Sequence, residues 1–198
     1  MIRITKHLRI AAVAGLATAA LALPMSGGVA SAAPAAPADR ATAVAQSPAI
    51  SKAAQAYLAK ASKNAVCVNA HIQDTGWQGW RCAKAGWPVA VGTTGKALRV
   101  EAISIATKKA GLCAQGHVQN IGWQKIRCVG KNTPILVGTT GQSLRLEAIR
   151  LGGAHRICVQ GHVQNIGWQK ASCSMWNKPA VAGTVGQSLR LEALRVLV

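Results

Sequence analysis

The chain has 198 residues, with 23 Lys and Arg against 5 Asp and Glu and a formal charge of +18. That length suits one domain plus processing segments. The charge points to an anionic setting or partner, and the scarcity of carboxylates argues against chemistry that needs two acids flanking one bond.

Residues 1–32 have the pattern of a secretory signal. Arg3, Lys6 and Arg9 form a positive start, and residues 10–23, IAAVAGLATAALAL, form an apolar run too short for a comfortable membrane span. Small residues at Ala30 and Ala32 place the cleavage after Ala32, with Ala33 as the next choice. No Arg pair precedes the run, so the general secretion route is expected. No later stretch is long and apolar enough to span a membrane. The expected product is therefore secreted, extracellular or loosely held at the cell surface.

Residues 33–46, APAAPADRATAVAQ, are Ala/Pro-rich without apolar period and are expected to be a flexible leader. Residues 47–64 carry a short helix signature. Ser47 is the expected cap and Pro48 the first helical residue, and Ile50, Ala54, Tyr57, Leu58 and Ala61 share a face. That helix is expected to be either an arm packed on the domain or a half-ordered tether.

From residue 65 to 198 the chain is a threefold repeat, with copies at 66–110, 112–156 and 157–198. Cys67, Cys113 and Cys158 begin the copies, 46 and then 45 residues apart. Trp77, Trp123 and Trp168 keep that spacing, as do Gly92, Gly138 and Gly183, and Glu101, Glu147 and Glu192. The ten residues GHVQNIGWQK occur at both 116–125 and 161–170.

Each copy has the pattern of β-strands. In the second copy Leu112, Ala114, Gly116 and Val118 alternate with Cys113, Gln115, His117 and Gln119, which predicts a half-buried strand. QNIG follows as a turn, with Gly122 free to take positive φ. Residues 123–128 return, 135–137 form a short strand after Pro134, and SLRLEAIRL forms the last. Its apolar phase breaks at Glu147 and Ala148, which predicts a bulge.

Pairing Cys67 with Cys82, Cys113 with Cys128, and Cys158 with Cys173 would staple each first hairpin. A two-residue loop would set the cysteines opposite one another, at a separation near what a disulfide needs; a Gly bulge at residue 122 would shift that register by one. The rival, a metal thiolate site, lacks zinc-knuckle spacing, and export favours oxidation.

These pieces, GHVQNIGWQ followed by GTTGQSLRLEAIRL, closely resemble the ChW repeats, the clostridial hydrophobic repeats with a signature Trp. His-x-Gln-x-x-Gly-Trp, Gly-Thr-x-Gly and Leu-Arg-x-Glu-Ala occur in that order in all three copies. The first copy departs mildly at Ile72, Asp74, Thr75 and Val100. The paired cysteines lie outside the pattern. So do Ile126 and Ala171, where a second Trp often sits and which Trp80 keeps. The resemblance implies a non-catalytic module on a secreted or surface protein, serving adhesion, polysaccharide binding or protein interaction.

Candidate ligand contacts are His71, Gln73, His117, Gln119, His162 and Gln164 on the polar face, and Trp87 and Trp176 in loops outside the repeated positions. Trp77, Trp123 and Trp168 are expected in the core, the alternative being an aromatic floor for a sugar ring. Arg99, Arg145 and Arg190 each precede a Glu by two residues, which predicts structural Arg–Glu pairs. No catalytic residue, metal site or cofactor is expected.

The predicted fold is all-β. Three repeats of about 45 residues close into a pseudo-threefold β-prism-like domain, with a β-trefoil as the alternative. Each copy is read as a self-contained sheet. The expected function is recognition of cell-wall or extracellular polysaccharide. The alternatives are a protein-interaction or adhesion module and a charge-driven binder of anionic polymers or surfaces. A specific nucleic-acid partner is not expected.

Overall fold

A computed structural model describes residues 47–109, 111–175 and 177–198. The predicted signal and leader lie outside the described residues.

The first copy forms β1 (Ala65–Ile72), β2 (Gly76–Trp77), β3 (Arg81–Lys84), β4 (Val89–Gly92) and β5 (Val100–Thr107). The second forms β6 (Leu112–Val118), β7 (Gly122–Trp123), β8 (Arg127–Val129), β9 (Ile135–Gly138) and β10 (Leu146–Gly153). The third forms β11 (Cys158–Val163), β12 (Gly167–Trp168), β13 (Ser172–Cys173), β14 (Ala180–Gly183) and β15 (Leu191–Leu197). Each copy thus has five strands where the pattern suggested four, because the return strand is broken in two.

The break follows from the turn. Its loop has three residues rather than two, since Val118 pairs with Gly122 and His117 with Trp123. Asn120 takes φ 62 and Gly122 φ 79. Asn and Gly tolerate that region at little steric cost. A one-residue slip between Trp123 and Arg127 then restores Cys113 to a position opposite Cys128. All three predicted disulfides form, each across its own hairpin.

The strands make three five-stranded antiparallel sheets. One closed barrel, which the trefoil alternative requires, is not what the described strands build. The reading of each copy as self-contained also fails. β9 of the second copy pairs with β5 of the first, β14 of the third with β10 of the second, and β4 of the first with β15 of the third. Every copy therefore gives one short strand away and receives one.

That exchange shares a single core. Ile103 and Ile105, Ile149 and Leu151, and Leu194 and Val196 are buried in one cluster together with Val66, Val118 and Val163. The strand β6 alternates inward Leu112, Ala114, Gly116 and Val118 with half-buried partners, as its period of two predicts.

The helix α1 (Lys52–Lys60) starts later than its sequence suggested. Ser51, not Ser47, is the cap, and its Oγ accepts the Ala54 N–H at 3.2 Å. Residues 47–50 run ahead of it without helical structure. The helix is a packed arm. Ala54 and Leu58 are buried against Ala65, Cys67 and Ala106 on the outer face of the first sheet. Burying Leu58 contributes about 1.5–3 kcal/mol. The Lys108 amine donates to the Leu58 and Ala59 carbonyls, which satisfies acceptors at the helix end.

Candidate ligand-binding faces

The predicted bulge is present in all three copies, and the Glu is the residue it leaves without an opposite partner. His117 faces Ala148 and Val118 faces Leu146, with Glu147 between them; Glu101 and Glu192 are placed alike. A bulged residue is free of the strict alternation of the strand. Its carboxylate can then turn to the side of His and Arg.

One oxygen of each carboxylate accepts the Arg two residues earlier, as predicted. Arg145 Nε donates to Glu147 Oε1 at 2.9 Å, and Arg99 and Arg190 do the same to Glu101 and Glu192 at 3.0 Å. The other oxygen faces His. Nδ1 of His71, His117 and His162 stands 3.0–3.1 Å from Oε2 of Glu101, Glu147 and Glu192. The approach is at ion-pair distance but not aligned as a hydrogen bond. Each Glu is nearly buried, so the Arg contact offsets the desolvation of its charge.

The histidines stack edge-on against the repeated tryptophans, with ring centroids 5.1–5.3 Å apart. Trp77, Trp123 and Trp168 were expected in the core. They are half-buried on the outer face instead, because His and Trp are opposite each other on the side of the hairpin that carries the polar residues. In two copies the indole is also covered. Arg150 Cζ lies 3.8 Å above the Trp123 ring and Arg195 Cζ 3.9 Å above that of Trp168. An open aromatic floor is thus excluded there, and a guanidinium takes its place.

Sequence reasoning missed these two arginines. It also missed the glutamines that fix them. Gln115 accepts from Arg150 Nη1 at 3.3 Å and donates to the Gln124 carbonyl at 2.7 Å; Gln160 repeats this with Arg195 at 3.1 Å and the Gln169 carbonyl at 2.8 Å. The signal was in the alternation, since Gln115 lies on the polar face, but a cross-strand partner 35 residues away is invisible to period. The first copy has Asn69 and Ser104 at these places, and Ser104 bonds to Ser47 at 2.9 Å beneath the arm that leads to α1.

The glutamine after each Trp is structural. Gln124 Oε1 accepts the Gly138 N–H at 2.7 Å and its Nε2 donates to the Gly138 carbonyl at 3.0 Å. Gln78 with Gly92 and Gln169 with Gly183 form the same two-point clamp. Each clamp holds the end of the strand that its own copy gives away.

The candidate residues separate accordingly. His71, His117 and His162 are tied into the Glu and Trp contacts rather than projecting freely. Gln73, Gln119 and Gln164 tie the end of each copy's first strand to the start of its last, their backbone N–H groups donating to the carbonyls of Arg99, Arg145 and Arg190. Trp87 is exposed, at 61 %, with the Lys84 amine 5.7 Å from its ring centroid. Trp176 lies outside the described residues.

The fold and these faces define an all-β protein of three disulfide-stapled repeats that exchange strands. Residues 71–109, 117–152 and 162–198 match the ChW family, described as Clostridial hydrophobic W, and the chain belongs to that family. The matched spans begin at the histidines, so Cys67, Cys113 and Cys158 fall outside them. No match was found among curated proteins or among solved structures.

Proposed function

We propose that this protein is a secreted, non-catalytic binding module for cell-wall or extracellular polysaccharide. The observation that carries this reading is the repeated Arg–Trp–Gln arrangement, Arg150 on Trp123 beside Gln115 and Arg195 on Trp168 beside Gln160, in a chain of formal charge +18. A stacked guanidinium is a preorganised, planar donor, suited to an anionic group on a sugar. The cyclic strand donation supports a prism-like, pseudo-threefold body that presents such faces rigidly. Two like sites on one body gain avidity on a repeating polymer.

Three disulfides suit an oxidising compartment, and among the described residues no helix is long and apolar enough to cross a membrane. One observation favours a second reading, a protein-interaction or adhesion module. The first outer face already accepts the apolar stripe of a helix, Ala54 and Leu58 of α1.

Adsorption to purified cell wall across a salt series tests the proposal. Retention beyond about 0.3 M salt is expected for specific recognition, whereas a purely charge-driven binder is screened off by then. Absence of adsorption at low salt would refute the module.

A further inference from the structure

The arm and helix cover one of three corresponding outer faces. In the first copy that face presents Asn69, Trp80, Ser104 and Ala106; the second copy has Gln115, Ile126, Arg150 and Gly152 in their places. Where α1 would lie, the second copy has a groove of about 370 Å³, within the range of small-molecule sites. Its far wall comes from the third copy, through Met175, Asn177, Lys178 and Pro179. A separate hollow beside Thr107 and His155 measures about 20 Å³, room for little more than a water.

The geometry points to this groove as the site for a carboxylate-bearing sugar unit, a uronic acid, of the polymer bound under the reading above, on which this inference rests. Three features select that class. Arg150 is held from below by Trp123 and at one edge by Gln115, so a carboxylate meets a guanidinium already in place. Lys178 and Asn177 add a second cation and an amide for ring hydroxyls.

Ile126 and Met175, 66 % and 72 % exposed, are apolar walls for the C–H face of a ring. A phosphodiester chain without rings would use the charge and leave those walls wet. A helix docking through an apolar stripe, as α1 does, would use the walls and bury the Arg150 charge without a counter-ion, which is costly.

The test is calorimetric titration of the secreted chain with a short galacturonic acid oligomer, with a neutral dextran oligomer and a glycerol phosphate polymer as comparison probes. The galacturonate should bind and the dextran should not. Arg150→Gln should weaken binding roughly tenfold or more, the scale of a charged hydrogen bond. Met175→Asp changes an exposed residue and sets a like charge against the ligand. It should weaken binding similarly with an unchanged melt, which keeps the test decisive if Arg150→Gln unfolds. Lys96→Gln, which removes an exposed cation in a turn away from the groove, should leave affinity within roughly twofold.

Equal losses in all three variants, or dextran binding as tight as galacturonate, would overturn the groove assignment. So would tighter, Arg150-dependent binding of the glycerol phosphate polymer. If the wild-type chain adsorbs to cell wall but ignores galacturonate, the groove inference fails and the module reading stands. If it adsorbs to no wall at all, the module reading itself fails.

Discussion

Gly138 packs directly against the backbone of Glu101, a residue of the neighbouring repeat. A Cβ on Gly138 would overlap the Glu101 carbonyl oxygen and come within 2.7 Å of Ala102 Cα. Its φ of +93° also disfavours any side chain. Gly183 against Glu147 and Gly92 against Glu192 repeat the relationship. It is the point where a donated strand meets the bulge of the sheet that receives it, and Thr139, the next residue, donates its N–H to the Glu101 carbonyl at 2.9 Å.

Gly138→Ala should therefore cost more than about 3 kcal/mol, because strain at positive φ adds to backbone overlap. Ala at Gly141, also at positive φ but with open space around it, should cost about 1 kcal/mol. Chemical denaturation of the two variants checks the difference. Equal costs would show that the contact between repeats is not the cause.

Glu147→Ala leaves Arg145 and His117 facing a vacated, nearly buried position. Its expected cost is about 3 kcal/mol, at the low end for a broken buried pair because Arg145 keeps some access to water. A melt within about 0.5 kcal/mol of wild type would show the Glu to be dispensable to the bulge.

Trp123→Ala should cost about 1.5–2.5 kcal/mol, less than the 3–5 kcal/mol of a core Trp, since the ring is half-buried between His117 and Arg150. It should also release Arg150 and so weaken polymer binding. A stable variant with full binding would separate the Trp from the Arg it carries.

A chain ending after the second copy loses β14, the partner of β10, and β15, the partner of β4. It should show no cooperative melt and should self-associate through the exposed strand edges. Independent two-state folding of residues 47–156 would mean that the exchange is incidental.

Much of this was legible in the sequence, and the reason is repetition. The spacing of Cys113 and Cys128 beside Cys158 and Cys173 named the staples, and the phase change at Glu147 named the bulge. Local periodicity, however, carries no record of which copy a strand pairs with. Ile135 and Val137 have the same pattern whether they pair within the second copy or with β5. The tryptophans were misplaced for a related reason. A repeated Trp most often fills a core, but the parity that puts Trp123 opposite His117 sends it outward. The guanidinium that covers it comes from Arg150, which nothing near Trp123 in the chain announces.

The most direct test of the binding account is adsorption of an Arg150→Gln/Arg195→Gln double variant to purified cell wall at about 0.15 M salt, where distant surface charges are largely screened. A Lys63→Gln/Lys96→Gln variant of equal net charge serves as the reference. With both chains melting cooperatively, the account predicts that the arginine variant adsorbs at least roughly tenfold more weakly while the lysine variant behaves like wild type. Equal adsorption by the two variants would contradict it, because total charge rather than the stacked arginines would then hold the protein to the wall.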